Sequence, residues 1–352
     1  MLTDKRIVVT GGTGSLGKVL VRRLLSGELG RPKQIIVYSR DEAKQHAMRL
    51  MYQQRRYATD EVIYRNVEQV LQFQIGDVRD LHRLTAVLRQ ADVVLNAAAL
   101  KQVPTCEYFP FEAVQTNIGG AENIVRAIRE HHLPVETVVG ISTDKACKPV
   151  NVMGMTKAIQ ERIVICANLD CPETRLICVR YGNVLASRGS VIPLFLDQIR
   201  RGGPVTITTA EMTRFLLSLE EAVDTIFAAL KQAKRGETYI PRVPSAKVVD
   251  IAKVMIGPRP IQTTVSGIRP GEKVHEILVS EEEAHRTIER NGYYVILPVL
   301  PELRSSKEIK RPLGREFSSA DNLMTAAQLV ELLNKHGLTV DGAVEREEEL
   351  LA

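Results

Sequence analysis

The chain holds 352 residues, 44% of them hydrophobic and 25% charged, with a formal net charge of +5. That length suits two domains with a core large enough to need no covalent staples, and the composition is that of an ordinary globular protein. The small positive excess suits an anionic ligand, while the absence of Trp and of any basic block interleaved with aromatics argues against nucleic acid as a partner.

The five cysteines, Cys106, Cys147, Cys166, Cys171 and Cys178, are odd in number and form no C-x-x-C pair. They indicate neither a disulfide framework nor a zinc site, and no metal is expected. No apolar run approaches the roughly 18 residues of a membrane span, so a cytoplasmic chain without a membrane partner is expected.

In chain order, Ile7 to Thr10 is a β-branched run ending in glycines, after which Leu16, Val19, Leu20 and Leu24 recur at helical spacing. Ile35–Tyr38 reads as the next strand and Asp41–Arg55 as the next helix. Val70–Ile75, Val93–Ala97, Thr137–Ile141 and Leu176–Val179 supply further strands, separated by helices near 82–90, 111–131 and 151–168. Strands without clean polar alternation, spaced by helices, predict a parallel sheet buried on both faces, a doubly wound α/β domain with right-handed crossovers. After Gly182 the pattern loosens, with Gly189, Pro193, Gly202, Gly203 and Pro204. A helix over Leu219–Lys231, a strand at Tyr239–Ile240, a helix near 246–255, a loop at Gly267–Lys273 and a helix over Thr325–His336 follow. The acidic tail Glu345–Leu351 is expected to fray. The division expected is 1–182 plus about 209–235 in the larger domain, and about 183–208 with 236–352 in a smaller mixed α/β domain.

The first strand runs into Gly11-Gly12-Thr13-Gly14-Ser15-Leu16-Gly17. Glycines at 11, 14 and 17 let a pyrophosphate approach the backbone, and the helix that follows offers free N–H groups and a positive dipole end. A dinucleotide is therefore expected here. An acidic residue at the end of the second strand would select a free ribose 2′-hydroxyl. The chain instead has Ser39 and Arg40, which suit a 2′-phosphate, so NADP is favoured over NAD. Asp77 and Val78 are placed to meet adenine; Asp77 reads equally well as a helix N-cap, with Asp80 as its rival.

After the fourth strand comes Asn96-Ala97-Ala98-Ala99-Leu100-Lys101, small residues that let the backbone lie against a cofactor ribose. After the fifth comes Ser142-Thr143-Asp144-Lys145, then Met153-Gly154-Met155-Thr156-Lys157 on a helix capped by Asn151. With these in place the chain resembles the extended short-chain dehydrogenases, which carry T-G-x-x-G-x-x-G, N-A-A, S-T-D and Y-x-x-x-K in that order. Ala97–Lys101, Ser142–Lys145, Arg180–Val191, Met212–Phe215 and Arg269–Lys273 are similar, over most of the chain, to the UDP-N-acetylglucosamine 4,6-dehydratases of flagellin, capsule and O-antigen sugar pathways. In one departure, Met153 stands at the Tyr position of Y-x-x-x-K, as in some members of that branch. Methionine has no group to accept the carbon 4 hydroxyl proton.

The resemblance implies a Rossmann domain with a smaller C-terminal substrate domain and a redox-neutral dehydration of UDP-N-acetylglucosamine, with or without inversion at carbon 5. Hydride leaves carbon 4, the carbon 5 proton and the carbon 6 hydroxide are eliminated, and hydride returns to carbon 6. It implies Lys145 as the carbon 5 base, which must be neutral to act; burial and the adjacent nicotinamide cation both lower its pKa. Asp144 becomes the acid for the departing hydroxyl, Thr143 the partner of the carbon 4 oxygen, and Lys157 the residue holding the nicotinamide ribose. Proton removal at carbon 4 falls to a water or to Asp144. Asn117 reads as kinking a helix toward the cofactor or as a packing residue. Lys101, Met153, Asn183, Val191, Thr208, Arg214, Arg269 and Glu272 are the substrate candidates, Arg214 and Arg269 for the diphosphate or uridine ribose. The resemblance also implies a homo-oligomer, dimer or hexamer, with helices 111–131 and 151–168 across a two-fold axis. Two other readings stay open: an NADP-linked UDP-sugar 4-epimerase or reductase, and a non-catalytic nucleotide-binding relative.

Overall fold

A computed structural model describes residues 1–54, 67–185, 190–304 and 312–339. The acidic tail, Gly189 and the middle of the Arg180–Val191 motif lie outside the described residues, as does Arg55 of the second expected helix.

Six parallel strands form the frame: β1 (Arg6–Thr10), β2 (Gln34–Ser39), β3 (Leu71–Ile75), β4 (Val93–Asn96), β5 (Thr137–Thr143) and β6 (Arg175–Tyr181). Their spatial order is β3-β2-β1-β4-β5-β6, the doubly wound arrangement in which ligands sit beyond the carboxyl ends of the strands where the order reverses. Ile7, Val8, Val9, Val37, Val94, Val139 and Ile177 are buried, as strands covered on both faces must be.

Helices Ser15–Leu25 and Leu219–Gln232 belong to the cluster on one face. Helices Leu81–Leu88, Gly120–His131 and Val152–Asp170 line the cluster on the other. The Leu219–Gln232 helix opens with a Ser218–Glu221 capping box and is tied to the first helix by Arg23, 2.7 Å from Asp224 and stacked over Phe227. It packs against the first helix, on the larger core.

The frame continues further than the boundary expected near residue 236. After β7 (Val205–Ile207) and β8 (Thr213–Phe215), β9 (Thr238–Pro241) pairs in parallel with β6. Beyond β10 (Ser245–Lys247), β11 (Thr263–Val265) and β12 (Ile277–Val279), the hairpin of β13 (Thr287–Arg290) and β14 (Tyr293–Ile296) completes a nine-stranded sheet. Thr238–Pro241 and Thr287–Ile296 thus leave the smaller part, because Tyr239, Ile240 and Val295 find their burial in the large core. What remains is a satellite core of helices Val191–Arg200, Val248–Ile256 and Ala326–Lys335 around Phe195, Ile251 and Leu333.

The stretch expected to be helical over 111–131 is helical throughout but not uniformly α. Pro110–Ala113 passes into a π-helical turn, Val114–Gly119, before Gly120–His131 continues. Asn117, inside that turn, bonds sideways instead of facing water. Such turns widen the helix and recur at functional positions.

Candidate active site

The glycine loop is set by close approach. Gly11 has φ +65°, and a Cβ there would lie 2.8 Å from the Ala98 backbone; one on Gly17 would lie 2.5 Å from Gly12. The Ala97 N–H donates to Thr10 O and the Ala98 N–H to Thr10 Oγ1, each at 3.2 Å. Gly14 caps the first helix without a side-chain bond, so its first amides remain available to an anion. Thr13 is buried beneath the loop and Ser15 is exposed at its lip. A bare backbone cradle beside the small Ala97–Ala99 segment fits a dinucleotide pyrophosphate.

At the end of β2, Ser39 is buried and its Oγ accepts from Gln45 Nε2 at 3.0 Å, which leaves its own proton to give. Arg40 is half exposed, its guanidinium 3.5 Å from Asp77. Asp77 is no helix cap: Asp80 accepts from the Arg83 N–H at the start of Leu81–Leu88. Arg79 holds the Asp77 carboxylate at 2.8 Å. Burial pushes that carboxyl up, and Arg79 outweighs it and holds it below the usual range. Val78 packs against Gly120, where a Cβ would lie 2.7 Å away. Sequence reasoning missed Arg79, one more surface arginine until the fold puts it over Asp77.

Asn117 accepts from the Leu100 N–H at 2.8 Å and donates to Leu100 O at 3.0 Å and to Thr156 Oγ1 at 2.9 Å. It stitches the Ala97–Lys101 segment to the helix that carries Met153 and Lys157. Lys101 lies exposed at the end of that segment.

The densest chemistry lies at the end of β5. Lys145 Nζ is 3.0 Å from Asp144 Oδ1 and 3.1 Å from Glu276 Oε1. Asp144 is fully buried and Glu276 nearly so. The Thr143 hydroxyl donates to Asp144 Oδ1 at 2.9 Å, so in this state it is engaged there. Arg214, on β8, reaches toward the same carboxylate, its Nε 3.9 Å from Glu276 Oε1, and donates to Thr213 O at 2.7 Å. Lys273 donates to Cys147 O at 2.5 Å.

Charge in this group departs from the expectation of a neutral lysine. Burial pulls the Lys145 ammonium toward neutrality, but the charges of Asp144 and Glu276 outweigh that pull, and its pKa lies above the usual lysine value. Burial raises the Asp144 carboxyl, against the opposing pull of Lys145. Four of the groups come from segments expected to serve here; Glu276 does not. Nothing in its spacing marks it, since its partner is Lys145, far away in sequence.

Two atoms of this group, Asp144 Oδ2 and Glu276 Oε2, are buried without a hydrogen-bond partner among the described residues, as are Ser142 Oγ, Asn183 Oδ1, Ser190 Oγ and Thr209 Oγ1. Each such atom costs about 1–3 kcal/mol, a cost that polar groups of a ligand relieve. Asn183 follows β6, Val191 opens its helix after Ser190, and Thr208 follows β7, its carbonyl accepting from Gly267 N–H at 3.1 Å.

Other expected residues have different partners. Met153 is buried with Cys106, Ala113, Leu100 and Val103. Lys157 is buried; it donates to Ile141 O at 2.5 Å and pairs with Gln160. Burial brings its pKa down to about 8, and in this state the amine is turned onto the β5 backbone. Arg269 is exposed on a turn, where the Glu272 N–H donates to its carbonyl at 3.1 Å. That turn is docked by Asn151, whose Nδ2 donates to Gly271 O at 2.7 Å while its Oδ1 caps the helix at Gly154. Gly154 admits no side chain: a Cβ there would lie 2.2 Å from Lys145 O.

A deeper lock holds β12 against β6. Arg180 is buried between two carboxylates, Glu161 at 2.6 Å and Glu283 at 2.7 Å, and donates to Leu278 O at 2.9 Å. Burial opposes the Glu283 carboxylate, but Arg180 prevails and lowers its pKa to about 2.

The family described as polysaccharide biosynthesis protein matches residues 7–298. A UDP-N-acetylglucosamine 4,6-dehydratase (inverting) of Campylobacter jejuni is 38% identical over 349 residues, 95% of this chain and 98% of that protein. A UDP-glucose 4-epimerase of Rickettsia prowazekii is 38% identical over 343 residues, 96% of this chain and 91% of that protein. The X-ray structure of Pen from Bacillus thuringiensis matches with a TM-score of 0.84 at 33% identity, covering 96% of this chain and 99% of that one. No helix among the described residues is long and apolar enough to cross a membrane.

Proposed function

The chain belongs to the polysaccharide biosynthesis protein family, within the extended short-chain dehydrogenase type of sugar-nucleotide dehydratases and epimerases, and from that premise we propose that it is an NADP-dependent UDP-N-acetylglucosamine 4,6-dehydratase. One observation carries the choice of dehydration over epimerisation. Lys145 is set between Asp144 and Glu276 at the end of β5, while the position of the usual tyrosine holds Met153. Epimerisation at carbon 4 needs a group to take and return one hydroxyl proton and has no use for a lysine base. Elimination across carbons 5 and 6 needs a base and an acid side by side.

The bound dinucleotide supplies the hydride acceptor at carbon 4 and the hydride donor at carbon 6, and ends unchanged. The chain's own residues do the rest. The Gly11–Gly17 loop and the helix it opens hold the pyrophosphate. Ser39 and Arg40 favour a 2′-phosphate, for which Arg40 would leave Asp77. Asp144, raised by burial, carries the proton that lets the carbon 6 hydroxyl depart as water. Lys145 takes the carbon 5 proton. Arg214, Arg269 and the unpartnered Asn183 amide oxygen face the UDP portion. Lys157 swings from Ile141 O to the nicotinamide ribose.

The experiment is incubation with UDP-N-acetylglucosamine in deuterated water without added reductant. The expected product has lost one water and carries solvent deuterium at carbon 5. A product of unchanged mass with inverted carbon 4 would replace this reading by an epimerase.

A further inference from the structure

Three protons change place in such a dehydration, and the sugar-facing residues provide fewer places than that. The carbon 4 hydroxyl proton must leave, the carbon 5 proton must leave, and the carbon 6 hydroxyl must receive one. Met153 takes none. Asp144 and Lys145 could share the work if Lys145 began neutral, but it rests as a cation between two carboxylates.

We infer that Glu276 is the proton store of this site: it receives the ammonium proton of Lys145 across the 3.1 Å contact and returns it at the end of the cycle. This rests on the dehydratase reading above. The balance closes with every group restored. As carbon 4 becomes a ketone, its hydroxyl proton passes to Asp144, whose Oδ2 is buried and unpartnered. Asp144 is then neutral, and Lys145 has lost one of its two counter-charges. Its proton moves from Nζ to Glu276 Oε1, leaving a neutral amine beside a neutral acid. The amine takes the carbon 5 proton as the neutral Asp144 gives its own to the carbon 6 hydroxyl, which departs as water. Lys145 then returns a proton to carbon 5, recovers its own from Glu276, and the starting charges are back. No oxidant or reductant beyond the dinucleotide already assigned enters.

Geometry supports this independently of the chemistry. Glu276 is buried and its second oxygen, Oε2, has no partner among the described residues, so it is not saturated by a structural network. Its backbone is fixed: its N–H donates to Ser319 Oγ at 2.9 Å, and its carbonyl accepts from Ser319 N–H at 2.8 Å. The Arg180 lock with Glu161 and Glu283 holds β12, immediately after it, against β6. The charged groups around Lys145 are Asp144 at the end of β5, Glu276 before β12, Arg214 on β8 and Lys273 in the preceding turn. The two carboxylates therefore divide the labour, Asp144 for the hydroxyl protons and Glu276 for the lysine. Glu276 acts through Lys145 and is a positioning residue.

The test uses the full chain with Glu276→Gln and Glu276→Asp. In the Gln variant Lys145 has no acceptor and must lose its proton to solvent. Its kcat should fall about 100-fold near neutral pH, with KM little changed, and should climb with pH where wild type is flat. The Asp variant should recover part of the rate and the flat profile. In parallel, trace acetylation read by peptide mass spectrometry follows Lys145 without any substrate. Its reactivity should appear about one pH unit lower in the Gln variant, which has lost a counter-charge. A Gln variant with a uniformly reduced but flat profile would make Glu276 merely structural and overturn the inference, as would an unchanged labelling profile. If wild type fails to dehydrate while the labelling shifts as stated, the dehydratase reading falls, and with it the store's role in this cycle, though the Glu276–Lys145 coupling stands.

Discussion

At the β1–β2 end of the crevice the chain presents backbone, and at the β5–β6 end it buries charge. Gly11, Gly14 and Gly17 work by what they lack, and the segments they touch follow β1 and β4 directly. The other end gathers Asp144, Lys145, Arg214 and Glu276 from three separated stretches, with Arg180, Glu161 and Glu283 locked behind them. A backbone cradle tolerates change in everything except volume. A buried charge group depends on every partner, because removing one leaves another desolvated and unpaired.

The largest break in that contrast is expected from Lys145→Ala. Turnover should fall about 10³-fold or more, while protein freed of excess nucleotide should retain its dinucleotide, as its absorbance would show. Loss of both would join the two ends that the geometry separates.

Arg180→Met should come next, costing about 3–5 kcal/mol in urea unfolding because Glu161 and Glu283 lose their shared partner. The effect carries a pH signature. The Glu283 carboxyl is lowered from 4.5 to about 2. Its contribution to stability is therefore complete above pH 4.5 and fades as pH falls toward 2. Wild type should lose stability over that window, and Arg180→Met should lose much less; parallel curves would remove Arg180 from this role.

Gly154→Ala probes the charged end at a smaller scale. Its Cβ would meet the Lys145 carbonyl at 2.2 Å, and the strain expected is about 1–3 kcal/mol. Thermal unfolding should show the loss, and kcat should fall with dinucleotide affinity unchanged. The smallest effect belongs to Arg40→Ala, half exposed at the cofactor end. It should weaken NADP about tenfold, ~1.4 kcal/mol, with NAD affinity unmoved, as titration calorimetry would read. Equal loss for both dinucleotides would place the 2′-position elsewhere.

The same contrast explains what could be read in advance. β1 to β6 were legible because buried parallel strands write continuous apolar runs, and the glycine loop because its chemistry is local. Asn151 was legible as a cap for the same reason. Glu276 was not, since its meaning lies in Lys145. The β13–β14 hairpin was not, because hairpin strands added to a sheet edge resemble those of a separate small domain. The π-helical turn at Val114–Gly119 escaped notice because Asn117 bonds across to Leu100 and Thr156, contacts with no periodicity. The charge balance at Lys145 was not legible for a physical reason: burial alone lowers a lysine pKa, and two buried carboxylates, one of them distant in sequence, oppose it.

The central claim is that one hydrogen travels from carbon 4 to carbon 6 while Lys145 handles the proton at carbon 5. UDP-N-acetylglucosamine carrying deuterium at carbon 4 is incubated with the protein in ordinary water, and the product is examined by NMR. Deuterium at carbon 6 of a sugar that has lost one water is the expected result. Deuterium still on carbon 4 of a sugar of unchanged mass would contradict it.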